Sequence, residues 1–230
     1  MKRFWRDVAV IDGEVRLDDR PIRTPGRVPL IVPYPRLAAA IADEWRAVAG
    51  EIDPRAMPLT GLANAAIDRI APDAPAFAAG LAHYGDSDLF YYRAEGPAEL
   101  VARQRAAWNP LLDWARRRYD VHFALTAGVI HQPQPAATVT RLADAVSARS
   151  PFELAGLSPV VTVTGSLIAG LALLENAATA DTIWHAARID EDWQAEHWGE
   201  DDLATRARDA HRADFDAGAR FLSLLGTADV

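Results

Sequence analysis

The chain has no cysteine among its 230 residues. That absence excludes disulfides, thiolate nucleophiles and Cys-ligated zinc or iron–sulfur centres. Lysine is nearly missing too: Lys2 is the only one, and the other basic residues are all arginine. Without an interior lysine there is no candidate for a Schiff base, a buried amine base or a phosphate-loop lysine, although codon bias accounts for the scarcity as readily as function does. Long apolar runs are also lacking. The longest, Pro159 to Leu174, is broken by Thr162, Thr164, Gly165, Ser166 and Gly170 and is shorter than the ~20 residues a membrane span needs. It reads as a buried helix. The N-terminal Met1-Lys2-Arg3-Phe4-Trp5-Arg6-Asp7 has no apolar run behind its charges, so neither a signal nor a transit peptide is expected, and the protein is expected in the cytoplasm.

What is present is unevenly spread. Residues 1–174 carry 19 basic and 19 acidic side chains, whereas residues 175–230 carry 5 and 13. The whole net charge of −8 therefore sits in the last quarter of the chain. Within it, residues 190–202 place Trp193 and Trp198 among Asp190, Glu191, Asp192, Glu196, Glu200, Asp201 and Asp202. An acidic region repels phosphates, which argues against nucleic acid, and an acid-rimmed indole suits contact with a protein. The competing reading is local: Glu200, Asp201 and Asp202 follow Gly199 and favour the start of the last helix.

Periodicity divides the chain into an α+β N-terminal part with a small antiparallel sheet and an all-α, orthogonal-type C-terminal bundle. Val8–Ile11 and Glu14–Leu17 flank Asp12-Gly13, a hairpin signal, and Val28 to Val32 reads as a further strand. Pro35 suits a helix start, and Leu37, Ile41, Trp45 and Val48 form one apolar face. Leu59, Leu62, Ala66 and Ile70 mark a second helix, and Phe77, Leu81 and Tyr84 a third. A long helix over 97–118 is expected to break or kink at Asn109-Pro110. Residues 122–130 look β-like, and Gln132-Pro133-Gln134-Pro135 reads as a linker between domains 1–132 and 133–230. Beyond it, helices are expected over 138–149, 151–175, 179–195 and 200–225.

Motifs for catalysis are weak. Neither a G-x-G-x-x-G nor a G-x-x-x-x-G-K-[ST] string occurs. Gly165-Ser166 lacks the G-x-S-x-G elbow, and the six histidines show no metal-ligand spacing. No cofactor or metal is expected. Asp86 and Asp88 suit capping better than calcium binding, and Asn64 and Asp68 share one helix edge that docks against the fold. The remaining enzymatic alternative is a hydrolase or lyase built on scattered carboxylates such as Asp86, Asp88 and Asp190. Trp45, Trp108, Trp114 and Trp184 lie on apolar stripes and read as core.

Several strings, in order along nearly the whole chain, resemble one family: the chaperones that assemble the F1 head of ATP synthase and bind its alpha subunit. They include Arg3-Phe4-Trp5-Arg6-Asp7-Val8, Leu17-Asp18-Asp19-Arg20-Pro21-Ile22-Arg23-Thr24-Pro25, Ala42-Asp43-Glu44-Trp45, Glu51-Ile52-Asp53-Pro54 and Leu62-Ala63-Asn64-Ala65-Ala66-Ile67-Asp68. Further on come Asp86-Ser87-Asp88-Leu89, Tyr92-Arg93, Arg103-Gln104, Trp108-Asn109-Pro110-Leu111-Leu112-Asp113-Trp114, Thr164-Gly165-Ser166-Leu167, Asp190-Glu191-Asp192-Trp193-Gln194 and Trp198-Gly199-Glu200-Asp201. Asn109 stands where the family often has Asp, and Thr162-Val163-Thr164 is an unusual approach to the Gly-Ser pair. The resemblance implies a binding protein and not an enzyme: an ATP-independent chaperone, taken as a monomer, that shields the unassembled F1 alpha subunit from aggregation. Trp193, Trp198, Glu196, Glu200, Asp201 and Asp202 are the candidate contact residues, a reading of the acidic segment itself and not a family property.

Overall fold

In the computed structural model, residues 2–226 are described; Met1 and residues 227–230, at the outer ends of the two expected domains, lie outside them. The chain begins with an antiparallel meander of β1 (Val8–Ile11), β2 (Glu14–Leu17) and β3 (Arg20–Pro21). Asp12 and Gly13 both take positive φ, the geometry that a two-residue hairpin turn needs. The strand expected over Val28 to Val32 is reduced to isolated bridges, Glu14 to Ile31 and Arg23 to Pro29. Pro29 has no N–H to give a ladder, so pairing does not propagate.

Helix α1 (Pro35–Ala47) starts at its proline and buries Leu37 and Ile41. Helix α2 (Pro58–Ala65) continues through a π-helical turn, Ala66–Ile70, into α3 (Ala74–Ala82). Glu44 on α1 satisfies the start of α2, accepting from the Leu59 and Thr60 backbone N–H groups at 2.8 Å each and from Thr60 Oγ1 at 2.7 Å. Asp68 docks as its spacing implied, accepting from Thr24 Oγ1 at 2.6 Å and from Gly26 N at 2.8 Å.

Helix α4 (Ala98–Tyr119) runs through Pro110 as one helix, so of the expected break or kink the break does not occur. Ala106 and Pro110 are both exposed, so the carbonyl that loses its partner has access to water. The β-like stretch 122–130 yields only β5 (Thr126–Ala127), parallel to β4 (Tyr92–Arg93). Gln134, in the expected linker, is buried and tied down: its side chain bonds Ala124 N and O at 2.9 Å, and its N–H donates to Asp86.

The remainder is helical: α5 (Ala136–Ser147), α6 (Pro151–Thr164), α7 (Leu167–Leu174), α8 (Ala180–Ala187), α9 (Ile189–Trp198) and α10 (Asp202–Ser223). Two expected helices, 151–175 and 179–195, are each split in two. The first breaks where Gly165 takes φ +65° and Ser166 turns its Oγ back to accept from Ala169 N. The second breaks at Arg188. The fold class is α+β, with a small antiparallel sheet near the N-terminus and a helical C-terminal part. One contiguous apolar cluster runs from Trp5 and Val15 through Trp108 to Phe215 and Leu222.

Candidate functional site

Helix α9 opens with Asp190, Glu191 and Asp192 in its first turn, where carboxylates meet the positive end of the helix. Asp190 accepts from Gln104 Nε2 at 2.7 Å, and Gln104 Oε1 accepts from Ala94 N at 2.8 Å. Buried Gln104 thus ties α9 and the segment after β4 to α4.

The two tryptophans of the acidic segment have different fates. Trp193 is only 5% exposed. Its ring stacks on His197 at 4.1 Å, and the Arg103 guanidinium lies 4.7 Å from its centroid. Arg103 also pairs with Glu196 at 2.7 and 3.0 Å. Trp193 and Glu196 therefore join α9 to α4, and Trp193 offers little surface to a partner. Trp198, the last residue of α9, is 77% exposed.

After Trp198 the chain turns at Gly199, whose φ is +80°. Asp201 caps α10 by accepting from Ala204 N at 2.7 Å, and Asp202 occupies the first turn. The helix-start role is thus real for Asp201. Glu200 accepts from Arg208 Nη1 at 2.6 Å. Trp198 is exposed, as are Asp202 and Leu203 four and five residues later, and a shallow groove of about 370 Å³ between α9 and α10 is lined by Glu191, Gln194, Asp201, Ala204 and Arg208. Of the six candidate residues, Trp198 and Asp202 face solvent, Glu196 is bonded to Arg103 on α4, Glu200 and Asp201 are engaged in local bonds, and Trp193 is inside.

The scattered carboxylates each have their own partners. Asp88 is fully buried and accepts from Phe90 N at 3.0 Å, Ser166 Oγ at 2.9 Å and Ile168 N at 2.9 Å. It pins the turn before β4 to the start of α7. Burial pushes its pKa up to about 6 against these three bonds, which pull the other way. Asp86 accepts from Gln134 N at 2.9 Å and lies 3.5 Å from His131. Glu175 takes Arg118, Tyr119 and Arg149; burial opposes its ionisation, yet these bonds hold its pKa below the usual range. Among the described residues no group of three or more His, Asp or Glu side chains is placed to hold a metal ion, and no helix is long and apolar enough to cross a membrane. Sequence reasoning missed Glu44 and Gln104, which bond across the fold; a lone polar residue on an apolar stripe, as at Gln104, is the only signal they leave.

Comparison with known proteins gives the class: residues 2–116 match the family model described as ATP12 chaperone protein. The crystal structure of Atp12 from Paracoccus denitrificans is 43% identical, with a TM-score of 0.92 and 98% of each chain covered. An aspartate-to-lysine mutant of the same organism's Atp12p gives 43% identity and a TM-score of 0.93 over 98% of each chain. The Atu1473 protein of Agrobacterium tumefaciens, described as a putative chaperone, is 39% identical with a TM-score of 0.92, over 98% of this chain and 86% of that one. The chain belongs to the ATP12 chaperone family, the family of ATP synthase assembly chaperones that its motifs resemble.

Proposed function

We propose that this protein is an ATP-independent chaperone that binds the unassembled alpha subunit of the F1 head and keeps it from aggregating until it meets its assembly partners. An orphan subunit exposes an apolar assembly surface larger than a soluble monomer tolerates, and such a surface drives aggregation. A chaperone covering it must let go again, which favours a small apolar centre with a charged rim over a wide apolar interface. The observation that carries this reading is Trp198, 77% exposed at the end of α9, with the exposed Asp202 and Leu203 following at the start of α10. Glu196, Glu200 and Asp201 supply the rest of the rim, and Trp193 holds it from behind. ATP independence is supported by a sequence with neither Gly-rich phosphate-binding string. The chaperone acts as a monomer in the compartment where the subunits are made, the cytoplasm of a bacterial cell.

The test is capture from the host's own lysate. Tagged protein is expected to enrich free alpha subunit over beta subunit and over assembled F1, with or without added nucleotide. Capture of assembled F1 alone would contradict the proposal.

A further inference from the structure

A second face of the molecule, built around Arg93, has no role in the acidic rim. Arg93 ends β4, and its guanidinium lies 4.9 Å from the centroid of the Trp108 ring on α4. Nη2 donates to Asn109 Oδ1 at 2.8 Å, while Nη1 is buried with no hydrogen-bond partner. Among the described residues Arg93 makes no ion pair. Burial first, then the like-charged Arg105 and Arg116, bring its pKa down to about 10, while the carboxylates of Glu95 and Asp190 line the same surface without pairing to it. Arg116 is engaged with Asp113 at 2.6 Å, whereas Arg105, exposed one turn before Asn109, has no ion pair among the described residues. A guanidinium has five donors in a planar fork, and a buried donor left unmade is costly. The Trp108 ring beneath and the Asn109 amide at its side hold the Arg93 guanidinium in place.

The surroundings indicate what kind of anion fits. Two open depressions flank Arg93, of about 430 and about 500 Å³. Leu125, Thr126 and Arg105 line the first; Tyr92, Val129 and Asp190 line the second; Glu95 reaches both. Asp190 is held by Gln104, and Glu95 is exposed without pairing to Arg93. Val129 and Ile130 stand 93% and 81% exposed, with Leu125 also partly uncovered. A small inorganic anion would satisfy the arginines and leave these apolar side chains in water. A polypeptide bearing a carboxylate between apolar residues would cover both.

We propose that this surface receives a client segment in which an aspartate or glutamate, flanked by apolar side chains, pairs with Arg93 and Arg105 while its neighbours cover Leu125, Val129 and Ile130. This deepens the client-binding reading above and rests on it for the identity of the partner. Arg103, which braces the acidic rim, and Asn109, which braces Arg93, lie six residues apart on α4, about 9 Å along its axis. One helix therefore braces an acidic contact and a basic one, and a client with the opposite pattern of charge is bound in a single orientation.

Nuclear magnetic resonance of the full chain, titrated with acetyl-Leu-Glu-Leu-amide, its Gln analogue and inorganic phosphate, tests this without the client. The Glu peptide is expected to shift the Arg93 and Arg105 side-chain Nε–H signals and the Val129 and Ile130 amides in a saturable way. At least tenfold weaker binding is expected for the Gln peptide, for phosphate and for Arg105→Glu, an exposed change that spares the packing on Trp108. Arg93→Lys, which keeps the charge and loses the fork, should fall in between. Phosphate binding as well as the Glu peptide, or shifts that ignore Arg105→Glu, would overturn the proposal. In a second arm, Arg105→Glu and the double change Val129→Ser with Ile130→Ser should each cut capture of isolated alpha subunit at least fivefold. Failure of the unaltered chain to capture alpha subunit refutes the partner, while the peptide arm still decides the site.

Discussion

Asp88 is ionised at neutral pH although its surroundings resist it. With the folded pKa raised from 3.8 to about 6, the native state holds this proton more tightly than the unfolded chain. Its contribution to stability is therefore fully present below about pH 4 and is lost as pH rises through about 6, a change of about 3 kcal/mol. Asp88→Asn removes that titration and also turns an amide N–H toward Ser166 and Ile168. Urea denaturation should find the native chain's advantage over Asp88→Asn larger at pH 4 than at pH 7 by roughly that amount. An advantage that grows with pH would mean the three hydrogen bonds outweigh burial. The two indoles of the acidic segment separate at the same scale. Trp193→Ala should cost about 3–5 kcal/mol in stability, since it empties a filled site between α4 and α9. Trp198→Ala should change thermal stability by less than about 0.5 kcal/mol, as an exposed ring does, and should act on client binding alone. Equal losses of stability would contradict this division.

At the scale of elements, α6 and α10 approach closely because each contributes a glycine at the crossing. A Cβ on Gly218 would lie 2.8 Å from the Gly156 carbonyl oxygen and 2.7 Å from Pro159 Cγ, and one on Gly156 would meet Leu222 at 2.6 Å. Gly218→Val should therefore cost about 1–3 kcal/mol or more, whereas Gly61→Ala, facing open space on α2, should stabilise by about 1 kcal/mol. Denaturation midpoints check both, and a neutral Gly218→Val would rule out the close crossing. Elements fixed by neighbours in sequence were legible from it: the Asp12-Gly13 hairpin, the start of α1 at Pro35, the apolar stripes that bury Trp108 and Trp184. What was not legible depends on distant partners. The break between α6 and α7 is stabilised by Asp88, 78 residues before Ser166, and nothing in an apolar run reveals that carboxylate. Pro110 reads as a break only until its exposure on α4 is known. The candidate site divides in the same way: the cap at Asp201 and the acids at the start of α9 are local features, but Trp193 is buried by Arg103, which belongs to another helix.

For the whole molecule, charge is partitioned: residues 1–174 are neutral as a set, and the acids are concentrated in the last quarter. Client association through such a rim should be fast and should slow as salt rises towards and beyond ~0.15 M, where the screening length is ~8 Å. On the proposed function, this protein keeps an orphan alpha subunit soluble without nucleotide. Light scattering of isolated alpha subunit, warmed with and without equimolar chaperone, reads this out. Suppression should be unchanged by ATP and weakened severalfold by Trp198→Ala combined with Asp202→Asn. Absence of suppression, or suppression that requires ATP, would contradict it.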